Sequence, residues 1–163
     1  MQENYKESIS IIKRAASLDF NNSEAHRELG ISYGKLKKYE QAIESLDEAV
    51  RLTPQNAEAL RNSGGEHRRW DMKDVPNNIN WDSLKIARDR YLSASKIEPY
   101  DTYSLLNVAK LELLISKIDP SRRPIAEESY KKLKPLCEFN VSDYPNDYWR
   151  RFDLAESTFF QEI

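Results

Sequence analysis

The sequence predicts an all-α fold of stacked antiparallel helical hairpins, and three observations carry that prediction. The stretch Ser23 to Asn56, SEAHRELGISYGKLKKYEQAIESLDEAVRLTPQN, reads as two short amphipathic helices joined by a turn around Lys37 to Tyr39. Thr53-Pro54 stops the second helix, because proline has no N–H and restricts the residue before it. The pattern recurs: a shift of 34 residues aligns Tyr39 with Tyr5, Ile43 with Ile9, Leu46 with Ile12, Ala49 with Ala15 and Leu52 with Leu18. One hairpin cannot bury its own apolar face, so such copies must stack.

Within the hairpin, Gly30 interrupts a helix, where it costs about 1 kcal/mol relative to Ala. A second helix packed directly on its backbone accounts for that cost, with Ala42 as the small partner. Ala49 allows a similar approach to the following helix. The order of small and large residues over these 34 positions resembles the tetratricopeptide repeat. Its signature places fall on His26, Leu29, Gly30, Tyr33, Ala42, Leu46, Ala49 and Pro54, and only His26 departs from the usual residue type. The resemblance implies a right-handed superhelix, an α-solenoid. It is sharp to about Pro99.

The elements follow in order. Residues 5–22 are a half repeat, a single helix over 4–18 with Ser23 capping the next. Residues 23–56 are a full repeat, with helices 23–36 and 39–52. Residues 57–101 form another, with helices at 56–70 and 82–97; Ala87, Tyr91, Ala94 and Pro99 match Ala42, Leu46, Ala49 and Pro54 at a spacing of 45. The eleven extra residues make a Pro/Asn-rich loop at about 71–81, with Trp70 and Trp81 pinning its ends. Residues 102–140 are a divergent repeat. Asp101 caps a helix to about Ser116, IDPSRRP is a loop, and a second helix runs from Pro124 to about Leu136, kinked or ended early by Pro135. Ala126, Tyr130 and Leu133 take its packing places. NVSDYPND is a linker, and 147–163 holds a final helix in which Leu154-Ala155 stands for Leu29-Gly30. Phe159 and Phe160 at that edge suggest a piece of a longer protein.

Composition narrows the function. At 163 residues this is one domain's worth of chain. A net charge of −2 gives no pull towards nucleic acid or an anionic membrane. One cysteine, Cys137, excludes an internal disulfide framework and suits a reducing compartment. No apolar run approaches a membrane span and the N-terminus lacks a signal-peptide pattern, so the cytoplasm is the expected location. No phosphate-binding glycine loop, HExxH or cysteine pair occurs, so neither catalysis nor a metal or other cofactor is expected. His26 and His67 fall at packing places and read as structural.

Shape is what remains. The resemblance implies a concave surface lined by the first helix of each repeat and used to hold a peptide or partner segment. Its inward positions are Glu24, Arg27, Glu28, Ile31, Gly34 and Lys35, then Glu58, Arg61, Asn62, Gly65, Arg68 and Arg69. From the third repeat come Tyr103, Leu106, Asn107, Lys110, Leu113 and Leu114. The expected peptide-binding set is Arg27, Arg61, Asn62, Arg68, Tyr103, Leu106, Asn107 and Lys110. Asn62 and Asn107 would hold peptide backbone, with Leu106 in an apolar side pocket. Arg61, Arg68, Arg69 and Lys110 outnumber Glu58, which favours an acidic partner.

The chaperone-binding members of the family grip an acidic C-terminus with five residues, whose places here are Arg27, Ile31, Asn62, Tyr103 and Asn107. Ile31 and Tyr103 cannot hold a carboxylate, so tight binding of such tails is not expected. The alternative is a structural or regulatory segment of a multidomain signalling protein that self-associates through its C-terminal helix, with Trp149, Phe152, Phe159 and Phe160 in the contact.

Overall fold

A computed structural model describes residues 2–72, 79–144 and 146–159, and every described element is helical. The chain forms two compact units, Met1–Ile97 and Glu98–Ile163.

The first unit holds α1 (Gln2–Leu18), α2 (Ser23–Lys35), α3 (Tyr39–Leu52), α4 (Ala57–Met72) and α5 (Trp81–Ile97), each packed on the next up to α4 on α5, save for the span 73–78. Ile9 and Ile12 of α1 pack on Leu29, Tyr33 and Ala42. At Gly30 an added Cβ would stand 2.4 Å from Leu46 Cγ and 2.9 Å from the Ala42 carbonyl oxygen. The close approach read from the sequence is therefore present, and no side chain fits there. Gly64 lies likewise against the Ala87 carbonyl, at 3.1 Å.

The turn between α2 and α3 closes as the hydrogen bonds require. The Lys38 N–H donates to the Tyr33 carbonyl and the Lys37 N–H to that of Gly34, with Lys37 at φ 58°. This is a left-handed helix cap made without glycine.

Several expected boundaries shift. Asn22, not Ser23, caps α2, its side chain accepting from the Ala25 N–H; the Ser23 hydroxyl instead meets Thr53 Oγ1 at 2.8 Å. Asp71 and Met72, expected in the loop, belong to α4. Trp81, also expected in the loop, begins α5, while 73–78 lie outside the described residues, and with them the expectation that Trp70 and Trp81 anchor the loop.

The second unit holds α6 (Thr102–Ile115), a 3-10 turn Pro120–Arg122, α7 (Arg123–Asp143) and α8 (Tyr148–Phe159). Asp101 caps α6 as expected, accepting from the N–H groups of Tyr103 and Ser104. IDPSRRP is not plain loop, because Asp119 accepts from the Ser121 N–H and winds the 3-10 turn. Pro135 does not end α7, which continues to Asp143 and takes in much of the expected linker. The hydrogen bond lost at Pro135 is outweighed by packing: Cys137, beyond it, is fully buried with Leu106, Ala109, Tyr130 and Leu133. Leu154 of α8 packs on the same core, whereas Ala155 is exposed and does not occupy a Gly30-like contact. The side chains of Trp149, Phe152, Phe159 and Phe160 lie outside the described residues.

Candidate functional site

The first unit carries a cavity of about 380 Å³ on the face shared by α2 and α4. Its α2 wall is Ile31, Gly34 and Lys35; α4 gives Asn62, Glu66 and Arg69; Lys37, Tyr39 and Leu46 come from the turn and α3. Ile31, Gly34, Lys35, Asn62 and Arg69 are all among the inward positions read from the sequence. Glu66 is not. A glutamate four residues after Asn62 reads as one more solvated acid, yet Glu66 is only 5% exposed. The signal that could have found it is Gly34, since a carboxylate can lie against a helix only where the Cβ is missing. An added Cβ at Gly34 would stand 2.5 Å from Glu66 Oε1.

Glu66 is half satisfied. Arg69 donates to its Oε1, while Oε2 is buried and has no hydrogen-bond partner. The Asn62 amide nitrogen, one turn earlier on α4, is buried and unpartnered in the same way. Burial pushes the Glu66 carboxyl above the usual carboxylate range, against the charges of Arg69 and Lys35. Three cations, Lys35, Lys37 and Arg69, thus stand around one acid.

The other expected residues are placed differently. Arg27 is buried, donating to Glu24, to Glu28 at 2.7 Å and to Glu58 at 2.7 Å. Three carboxylates around one guanidinium reverse the expected charge balance there, and the Glu24 hydrogen bond holds Arg27 all the more firmly protonated. Arg61 and Arg68 are half-buried, and each has a partner.

In the second unit Tyr103 is exposed. Asn107 is only 3% exposed and donates to the Tyr103 carbonyl at 2.8 Å. Leu106 is core rather than side pocket. Lys110 is paired to Glu156 of α8. Of the two asparagines expected to hold peptide backbone, Asn107 Nδ2 has a partner in its own helix and Asn62 Nδ2 has none.

A second polar cluster lies where α3, α4 and α5 meet. His67 is buried, as read from its packing place, but among polar groups. Its Nδ1 is 2.9 Å from Ser83 Oγ and its Nε2 is 3.2 Å from Asp47 Oδ2. Ser63 and Arg90 both donate to Asp47 Oδ1, at 2.7 and 3.0 Å. Burial would raise the Asp47 carboxyl, but hydrogen bonds from His67 and Ser63 outweigh it and hold it below its usual range. Among the described residues no group of three metal-ligating side chains occurs, and no helix is long and apolar enough to cross a membrane.

Helical hairpins whose glycine meets a facing helix at the signature places define a tetratricopeptide-repeat protein. More narrowly, the family model TPR-S, Tetratricopeptide Repeats-Sensor, matches residues 4–112, and the chain belongs to that family. Among solved structures it is similar to MamA, at 19% identity and a TM-score of 0.66, covering 98% of this chain and 86% of that one. It is similar also to YrrB, described as a TPR protein with an unusual peptide-binding site, at 13% identity and a TM-score of 0.64, covering 98% and 71%. The first TPR of Spaghetti (RPAP3), bound to the HSP90 peptide SRMEEVD, shows 16% identity and a TM-score of 0.57, covering 86% and 94%. At such identities the likeness is one of fold. No curated protein matches the chain.

Proposed function

We propose that this chain is a protein-interaction module that takes a peptide or partner segment on the face shared by α2 and α4. The observation that carries the reading is the cavity there, about 380 Å³, with three cations around one acid. A concavity of that size falls in the range of ligand sites. The excess of positive charge favours an acidic segment, through both steering and register. The fold likeness to the peptide-bound RPAP3 repeat supports the reading without supplying its residues.

The test begins with cross-linking of the full chain in its native cells, followed by calorimetry of the purified partner. Lys35→Gln with Lys37→Gln, which leave the Arg69–Glu66 pair intact, should weaken affinity at least tenfold with an unchanged melting temperature. Undiminished affinity would move the binding face elsewhere. A second reading, a regulatory segment of a signalling protein, is favoured by the family's description as a sensor. Sedimentation of the isolated chain separates the two, since a tight dimer through the C-terminal helix supports the regulatory segment.

A further inference from the structure

Glu66 and Asn62 pose a specific problem. Each carries a buried polar atom with no hydrogen-bond partner, one an acceptor and one a donor. A buried polar group left unsatisfied costs about 1–3 kcal/mol. The two residues are four apart on α4, so their side chains share one face, with Cβ atoms about 5–6 Å apart. Both line the same cavity, and Gly34 on α2 leaves the space that the Glu66 carboxylate fills. Here one side chain offers an acceptor and its neighbour offers a donor. Their complement is a group presenting an N–H beside a C=O, which is what each residue of an extended peptide carries along one edge.

We propose that Asn62 and Glu66 form a backbone latch for one acidic residue of an extended peptide. The peptide N–H donates to Glu66 Oε2, and its C=O accepts from Asn62 Nδ2. The acidic side chain lies towards Lys35 and Lys37. This rests on the interaction reading above and deepens it. Arg69 is the gate: its side chain is about half exposed while paired to Glu66 Oε1, and it turns outward as the peptide enters. The latch reads backbone, and the lysines read charge. A peptide lacking either element should therefore lose affinity separately.

The experiment is a nitrogen-15 NMR titration of the full chain at low ionic strength, where charge contacts are least screened. The probe is a pentapeptide of alternating Asp and Glu, acetylated and amidated at its ends. The expected result is shift changes at the amides of Gly34, Lys35, Asn62 and Glu66. Asn62→Ala, Glu66→Gln, or N-methylation of the peptide's central residue should each weaken binding at least tenfold. A lysine pentapeptide should not bind. Thermal melts identify any variant that fails to fold, and the N-methylated peptide tests the latch on the unaltered protein. Absence of shifts at these four amides at millimolar peptide would overturn the proposal, as would equal binding by both variants. Shifts on another face that survive both substitutions would sink the latch and leave the interaction reading standing.

Discussion

Glu66 and His67 are consecutive on α4, and their side chains meet opposite fates. Successive residues on a helix point about 100° apart, so one faces α2 while the other faces α3 and α5. Both are buried. His67 has a partner on each ring nitrogen, and its neighbour Asp47 collects three donors from two further helices. Glu66 has one partner, on the more exposed Arg69, and an idle oxygen. The difference teaches how to tell a polar group that holds the fold from one held ready by it. The Asp47 network joins three helices and gives a partner to both ring nitrogens of His67 and both oxygens of Asp47, with Arg90 Nε left over. A half-filled one lines a cavity. The same contrast separates the glycines of α2, where Gly30 meets backbone and core, and Gly34 meets only the tip of a side chain.

The largest expected effect breaks the glycine comparison on its structural side. Gly30→Leu puts a side chain where even a Cβ would overlap Leu46 Cγ and the Ala42 carbonyl. Overpacking of this kind costs about 3 kcal/mol at the upper end, or a fall in melting temperature of roughly 6–12 °C. An unchanged thermal melt would mean that α2 and α3 do not pack in this register.

Next in size is His67→Ala, which strands the Asp47 carboxylate and the Ser83 hydroxyl in a buried setting. Urea unfolding should show a loss of about 1–3 kcal/mol. If the loss is no larger than that of an exposed substitution, the network is not structural and the contrast with Glu66 fails.

The fold was legible where packing is dictated by side-chain size. Gly30, Ala42, Leu46 and Ala49 announce close helix contacts because nothing larger fits, and each of the last three is fully buried. Pro135 misled because its local cost is outweighed by the packing of α7 on both sides of it, with Leu133 and Cys137, each two residues away, both buried. The lining of the cavity was legible in part. Ile31, Gly34, Lys35, Asn62 and Arg69 follow from the repeat register, which fixes which way a side chain points. What register cannot give is who pairs with whom. Arg27 took three carboxylates, one of them 31 positions away, and Asn107 took a carbonyl of its own helix, outcomes that rotamers decide and register does not. Glu66 stayed hidden because its burial depends on a missing Cβ 32 positions away (66 less 34).

The two carboxylates also carry opposite pH signatures, a finer way to sharpen the comparison. Asp47 is held below its usual range, so its contribution is present above about pH 4 and is lost as pH falls through its folded value. Asp47→Asn should remove that acid limb and lower stability at neutral pH. Glu66 is raised by burial, so its contribution is full below about pH 4.5 and is lost as pH rises through the folded value. Glu66→Gln should flatten the decline above pH 4.5 and leave the pH 7 melting temperature unchanged or higher. Urea unfolding across pH 3–8 measures both. Parallel slopes for the two variants would show that the sites are not opposed as described.

The smallest expected effect on stability is at Gly34, where it is most informative. Alanine there gains about 1 kcal/mol of helix propensity. Against this, the new methyl would stand 2.5 Å from Glu66 Oε1 and 2.8 Å from its Cδ, so the carboxylate must move. That group is the far end of a flexible side chain, and it can swing with Arg69 towards solvent. The two effects nearly cancel, so Gly34→Ala should change stability by no more than about 0.5 kcal/mol. Yet it evicts the Glu66 carboxylate from its seat without deleting a charge or a hydrogen-bonding group. Relative to Gly30, the identical kind of residue on the same helix would then be nearly silent in a melt. If Gly34→Ala instead destabilises as much as a Gly30 substitution, the carboxylate cannot swing. The face shared by α2 and α4 would then be as closely packed as the one between α2 and α3, with no adjustable site.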